Sequence, residues 1–571
     1  MSGINHILDM AARALLSEQA GLEVTGHNVA NVNTPGYSRQ RVNLETASPL
    51  PSPWGPLGDG VKVQGIQRAF DPFITARLDE KTAAFMEYQA RKAFLDQVAA
   101  LFNETNEAAL TDRLSAFWAS WHDLANNPAG SAERQTLQQN ALSLCETLNF
   151  QADRLALERS SLEQQVGPLL HEINAHAARI AQLNGEIQAA EAGGQLANDL
   201  RDQRQMELSR LAELTGIRYY TSGDGLINVN LVNGTSLVQG VRSWTLDFSE
   251  GADDSLAIFW NGPNGLRENI TASLSGGKLA ALLAVRDSLI PSYQQNLDQI
   301  ARELIAAVNS LHTQGVGLDL FASATGTYAV IDPDLPLGSS GLTFGDRIVD
   351  GSLEILVERN GFLLASSTIA VTPDLTLNEV VNVINNDPNL GGLVTASLDG
   401  NRLKISTNQA SDTLGFVRDS SGILLALGLN TFFAGDKAYT LAVNPWVLEN
   451  PGLIAAGRFD ATGARAPGDN RNALALAALE NAPAGPDGLT FAQAYRRLVT
   501  DIGLETERAG QEALSYQKLV DQLTQMRDAV SGVSLDEELA NLIRFQRAYQ
   551  AAARLISVAD ELYQTLLALK R

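Results

Sequence analysis

The sequence predicts a multidomain protein: an all-α coiled-coil or helical-bundle core built from its N- and C-terminal segments, with mainly-β outer domains inserted between them. Three observations carry this. The two ends share a narrow apolar seam with alternating spacings of four and three. Further seams of the same period lie in both halves of the chain. Two internal regions change to the period of strands. At 571 residues, with 45% hydrophobic and 19% charged residues, the chain is too long for one ordinary core, and three or four domains are expected.

The N-terminal seam runs through Ile4, Leu8, Ala11, Leu15, Glu18, Leu22, Thr25, Val29 and Val32. The C-terminal seam runs through Leu542, Phe545, Tyr549, Ala552, Ile556, Ala559, Tyr563 and Leu566. As helices they would span roughly 43 Å and 36 Å, at about 1.5 Å per residue. The remaining faces read as largely polar, and one such helix is marginal alone in water, so each end needs a partner. Glu18 and Thr25 interrupt the apolar seam, which favours packing that depends on assembly over a strong isolated coiled coil. The first helix should stop near Asn31–Tyr37, because Pro35 disfavours helical geometry at Thr34 and Gly36 supplies a positive φ. Residues 46–60, with four prolines and three glycines, read as an extended loop.

Residues 74–128 are helical in composition. Leu162, Val166, Leu169, Ile173, His176, Ile180, Leu183, Ile187 and Ala190 form a second long seam. Leu297, Ile300, Leu304, Ala307 and Leu311, and then Tyr516, Leu519, Leu523, Met526 and Val530, suit the same bundle. Between 217 and 262, Ile227–Leu231 and Trp244–Phe248 alternate as strands around an Asn233–Gly234 turn. From about 325 to 445 strands dominate, including Leu353–Val357 and Leu393–Leu398, the latter turned by Asp399–Gly400 into Arg402–Ile405. Thr376 and Glu379 cap one short helix there. The expected division is a terminal coiled-coil domain (1–40 and 532–571), a helical-bundle domain (41–320 and 446–531, with a small β insertion at about 217–262), and a strand-rich outer domain (321–445).

The formal net charge of −23 argues against nucleic acid and against anionic membranes as partners. Residues 1–45 carry a net −1 and residues 535–571 a net of 0, so nearly all of the negative charge sits on the middle of the chain. Neutral ends can crowd together in many copies while an acidic body stays solvated. No apolar run is long enough to cross a bilayer, and no cleavable secretory signal is evident. Cys145 is the single cysteine, which leaves no intramolecular disulfide and no cysteine metal cluster.

Motifs for chemistry are weak. His171-Glu172-Ile173-Asn174-Ala175-His176 resembles a metalloprotease pattern, but its histidines are five apart and point about 140° away from each other on a helix. Ser275-Gly276-Gly277-Lys278 lacks the spacing of a phosphate loop and reads as the start of a helix. No catalytic residue, cofactor or metal is assigned.

The segment Asn28-Val29-Ala30-Asn31-Val32-Asn33-Thr34-Pro35-Gly36-Tyr37-Ser38-Arg39-Gln40 resembles the signature shared by flagellar rod, hook and hook-associated proteins. Residues 531–538, 541–551 and 559–567 look like the matching C-terminal helix. Trp121–Pro128, Asn198–Arg204, Leu427–Gly435 and Gly468–Leu476 are similar to the body of the hook-associated protein 1 family. The resemblance runs nearly end to end and is least diagnostic over 325–425. The hook-associated protein 3 family, or another rod or hook protein, is the second reading, and a cell-wall hydrolase of the rod a third.

The resemblance implies a structural, secreted protein of the bacterial flagellum that forms the layer between hook and filament. It implies export without signal cleavage through the flagellar type III system. The implied partners are further copies of the chain in a ring or helical layer, the hook protein, hook-associated protein 3 and an export chaperone. The expected assembly residues are Leu8, Leu15, Leu22, Asn28, Asn31, Asn33, Thr34, Pro35, Gly36, Tyr37, Arg39, Leu542, Phe545, Tyr549, Ile556, Tyr563 and Leu566.

Overall fold

The computed structural model describes residues 2–51, 55–102, 109–250 and 256–568. Parts of the loop expected at 46–60, of the helical stretch 74–128 and of the strand region 217–262 lie outside the described residues, as do Lys570 and Arg571 of the C-terminal charge count. The chain forms two compact units. One comprises Met1–Phe94, Ser161–Arg286 and Glu507–Arg571, the other Leu95–Ser160 and Asp287–Thr506. No helix among the described residues is long and apolar enough to cross a membrane.

In the first unit the N-terminal helix Ser2–Ala30 packs along the C-terminal helix Leu535–Ala568. The helix stops where the sequence predicts, and the chain returns as an antiparallel hairpin. That hairpin pairs Gln40–Thr46 with Val61–Arg68, from Gln40 opposite Arg68 to Thr46 opposite Val61, with the register shifting between Asn43 and Leu44. Its strands contact the N-terminal helix. Arg13 forms an ion pair with the buried Asp59, which holds the end of the 46–60 loop on that helix.

The second long seam belongs to the helix Ser131–Glu191, which carries Pro168 in its interior. Leu162, Val166, Ile173, Ile180, Leu183 and Ile187 are buried as expected. Leu170 and Ala177 complete the buried face where Leu169 and His176 were expected, and Ala190 is exposed. The helix therefore follows a period nearer 3.6 than the strict four-three alternation. Asn184 is fully buried on it, donating to the carbonyls of Ile227 (2.8 Å) and Gly240 (2.6 Å). That bond set ties the helix to a four-stranded antiparallel sheet of Ile217–Thr221, Ile227–Leu231, Ser236–Gln239 and Arg242–Ser243.

The Asn233–Gly234 turn, with Gly234 at φ +93°, leads into Ser236–Gln239, a strand the alternation did not separate. Thr245–Glu250, Leu256–Asn261 and Arg267–Asn269 form the next sheet. Gly277 opens the helix Gly277–Ala284 as read; a Cβ there would lie 2.4 Å from the Leu214 carbonyl carbon. Asp79, on the helix Pro72–Leu101, is buried and accepts hydrogen bonds from Tyr219 (2.7 Å), Ser209 (2.7 Å) and Gln205 (3.0 Å). Burial raises its pKa to about 6, against those bonds and the charge of Arg527.

The fourth expected seam departs from the reading. Tyr516 stacks on Tyr88, with ring centroids 5.6 Å apart, but Leu519, Met526 and Val530 face solvent.

The second unit encloses an aromatic core. Phe117 and Trp121 of the helix Leu110–Asn126 meet Phe432 and Phe433, and all four are fully buried. The seam Leu297–Leu311 lies here, on the helix Ile290–His312. The fully buried His312 has its Nδ1 2.8 Å from the Asn430 carbonyl, and its Nε2 accepts from the Ala455 N–H at 3.0 Å, so the neutral ring fills both roles. Burial lowers its pKa to about 4.

Two three-stranded sheets complete the unit. Gly351–Arg359 lies between Phe362–Val371 and Asp412–Asp419, and Arg402–Thr407 between Ser323–Thr325 and Val394–Asp399. Asp399 pairs with Arg402, so the turn residues are Gly400 and Asn401, both at positive φ. The expected capping box is present: Thr376 Oγ1 accepts from the Glu379 N–H (3.2 Å), and Glu379 accepts from the Thr376 N–H (2.8 Å).

Candidate assembly site at the terminal helix pair

The two terminal helices meet through small residues. Ala11, Ala552 and Ala559 are buried between them. An added Cβ at Gly21 would lie 2.7 Å from the ring of Phe545, so only glycine allows that approach. Leu8, Leu15 and Leu22, and opposite them Leu542, Phe545, Tyr549, Ile556 and Tyr563, are half-buried, whereas Leu566 is exposed. Glu18, polar within the seam, has its carboxyl pKa raised by burial and held back by Arg544. Thr25 is buried.

The expectation that the other faces are largely polar is corrected by the structure. Leu16, Leu539, Ile543, Leu555, Val558 and Leu562 are all exposed. Their spacing does not continue the seam, so a search for one stripe passes over them.

The signature after the first helix is a clasp. Asn28 is 1% exposed and uses its whole amide. Its Nδ2 donates to the Gln40 carbonyl (2.9 Å) and to Glu538 (3.1 Å); its Oδ1 accepts from the Gln40 N–H (2.9 Å) and the Tyr37 hydroxyl (2.8 Å). The Tyr37 oxygen also lies 3.0 Å from His27 Nδ1, with the two rings edge to face. Burial, and then the carboxylates of Asp199, Asp202 and Glu538, push the Tyr37 phenol up, so it stays a donor.

Between these anchors the chain turns tightly. Asn31 Nδ2 donates to the His27 carbonyl and Thr34 Oγ1 to Asn31 Oδ1, each at 3.1 Å. Gly36 takes φ +79°. Asn33, Thr34, Pro35 and Gly36 are exposed.

Arg39 joins this segment to the far end of the chain. Its guanidinium lies 2.5 Å from Glu537 and 2.6 Å from Glu538, and its backbone N–H donates to the Ser531 carbonyl at 2.8 Å. Glu538 is buried, so this pair is desolvated and shielded from salt, whereas Glu537 is exposed. The neighbours of Arg39 face the opposite way. Ser38 donates through both N–H and Oγ to Asp202 (2.8 Å each), and Gln40 Nε2 donates to Asp199 (2.8 Å). The Glu537-Glu538 and Asp199–Asp202 segments carry part of the family resemblance, but no role for those residues follows from the sequence, and nothing local marks Gly21. His176, from the metalloprotease lookalike, is bonded through Nδ1 to Glu207 at 2.5 Å.

Comparison with known proteins agrees with this arrangement segment by segment. Residues 95–326 match the family model described as "Flagellar hook-associated protein FlgK helical domain". Residues 8–37 match "Flagella basal body rod protein", and residues 519–569 match "Flagellar basal body rod FlgEFG protein C-terminal". The chain is 26% identical to flagellar hook-associated protein 1 of Escherichia coli K12, over 99% of this chain and 100% of that one. The similarity to flagellar hook-associated protein 1 runs over almost the whole chain.

The relative of the same name from Bacillus subtilis strain 168 is 25% identical over 97% of this chain and 96% of its own. A solved structure, the flagellar hook junction protein FlgK from Burkholderia pseudomallei, shares the fold with a TM-score of 0.55. It is 18% identical and covers 80% of this chain and 100% of its own. The two rod-type matches fall largely on the two paired helices, and the helical-domain match falls between them.

Proposed function

We propose that this chain is a structural protein of the bacterial flagellum that forms the junction layer between hook and filament by self-assembly through its terminal helices. The observation that carries this reading is the pairing of Ser2–Ala30 with Leu535–Ala568, locked by Arg39 and Asn28 onto Glu538, with a second set of leucines left bare. A pair so built buries about one face per helix and leaves the others to identical neighbours. The assembly residues in this reading are those expected from the seams and from Asn28–Arg39, together with the bare Leu16, Leu539, Ile543, Leu555, Val558 and Leu562.

The terminal domain (1–40 and 532–571) lines the central tube in this reading. The helical-bundle domain (41–320 and 446–531) and the strand-rich domain (321–445) are the parts inserted between the two terminal helices. The partners are the hook protein, hook-associated protein 3 and neighbouring copies, after delivery by an export chaperone and the type III system to the cell exterior. No catalytic role is assigned, and a peptidoglycan digestion assay with the purified chain should release no soluble fragments.

Deleting residues 535–571 should leave a folded, soluble body that cannot join the hook tip. Filament growth supported by that truncation would overturn the reading. Tyr549→Asp, which puts a charge into the seam, should impair assembly far more than Lys404→Asp on the strand Arg402–Thr407.

A further inference from the structure

The extended segment Ser38-Arg39-Gln40 alternates its side chains as a strand does, and its two faces hold different parts of the first unit. Ser38 and Gln40 reach Asp202 and Asp199, at the start of the helix Asn198–Leu214; Arg39 reaches Glu537 and Glu538, at the start of the C-terminal helix. We propose that Asp202 is a positioning residue for the terminal helix pair: by fixing Ser38 it sets Arg39 against Glu538, so that docking of the tube-building helices is coupled to the helical body.

Asp202 is suited to this. It is buried and accepts three hydrogen bonds, two from Ser38 and one from Arg68 at 2.7 Å. Arg68 sits in the strand position opposite Gln40 and lies over the Phe70 ring at 3.9 Å. Burial pulls the Arg68 pKa down and Asp202 holds it up, which ties the pair further. Asn198 secures the same hairpin by donating to the Ile66 carbonyl at 2.9 Å. A shift of Ser38 by one residue would turn Arg39 to the wrong face, because the side-chain period is two. Charge-assisted bonds with both partners buried are those whose loss is felt most.

The test is hydrogen exchange on the full-length monomer, which needs no flagellum. The inference takes only its consequence for assembly from the function proposed above. Asp202→Asn should raise amide exchange in 2–30 and 535–568 roughly ten- to a hundredfold. Buried Leu208 and Leu211 should keep the helix Asn198–Leu214 protected. In a Glu538→Gln background, Asp202→Asn should add little, because the coupling it breaks is already lost.

Ser38→Ala, which keeps the backbone bond to Asp202, should give a smaller rise in the same residues. It decides the matter where Asp202→Asn disturbs its own helix. Terminal exchange within about threefold of wild type in both variants, or effects of Asp202→Asn and Glu538→Gln that simply multiply, would overturn the proposal. Loss of filament growth with terminal exchange unchanged would count against the coupling and leave the structural function standing.

Discussion

In the second unit Phe117, Trp121 and Phe432 are fully enclosed; along the terminal helix pair Leu8, Leu22 and Tyr549 are half-covered, and Ile543 and Leu555 are bare. The same residue classes thus do different work. The aromatic core of the second unit spends its apolar surface within one chain. The terminal pair is joined by alanines, one glycine and a buried ion pair, and keeps much of its apolar surface for something else. A region that is complete in one chain should respond to substitution through stability. A region that is incomplete should respond through association.

Substitutions in both regions, and a change of pH, can break or sharpen this contrast. The largest effect is expected in the second unit, where Trp121→Ala should cost about 3–5 kcal/mol. It should lower the thermal midpoint, whereas Tyr549→Asp should leave that midpoint nearly unchanged while abolishing assembly. Next, Glu538→Ala strands Arg39 and Asn28 and should cost about 3 kcal/mol of local stability at the terminal pair, read by exchange of 535–568. Glu537→Ala, at an exposed partner of the same arginine, should cost under about 1 kcal/mol.

The two units should also answer pH in opposite directions. His312 has a folded pKa of about 4, below its unfolded value. Its contribution is complete above about pH 6.5 and falls by roughly 3 kcal/mol as pH drops through 4. Asp79 has a folded pKa raised to about 6. Its contribution is complete below about pH 3.9 and is lost as pH rises through 6. Exchange compared at pH 5 and pH 7 should therefore show the second unit loosening in acid around His312, with the neighbourhood of Asp79 tightening. Asp79→Asn should flatten the latter response. The smallest effect belongs to Lys404→Asp, expected to stay within about 0.5 kcal/mol by thermal melting.

Most of the architecture was legible because it rests on period and punctuation. The terminal seams, the stop at Pro35–Gly36, the Thr376–Glu379 capping box and the strand Gly351–Arg359 each leave a local mark. What stayed hidden depends on contacts far apart in sequence. Gly21 matters only because Phe545 lies against it. Asp202 looks like any surface carboxylate until Ser38 and Arg68 are brought to it. The exposed Leu519 and Met526 keep a seam's spacing without a partner in the chain, so period alone assigned them to a core they do not enter. The signature residues were legible as a group, but their division was not: Asn28, Tyr37 and Arg39 close the clasp, while Asn33–Gly36 face outward.

The central claim is that the bare apolar residues of the terminal pair become covered on assembly. Thiol labelling tests it directly, since the native Cys145 is buried and silent. Ile543→Cys should label in the free chain and resist labelling in intact flagella, while Tyr439→Cys, exposed in the second unit, serves as the reference for labelling of free chain. Equal labelling of Ile543→Cys before and after assembly would contradict the account.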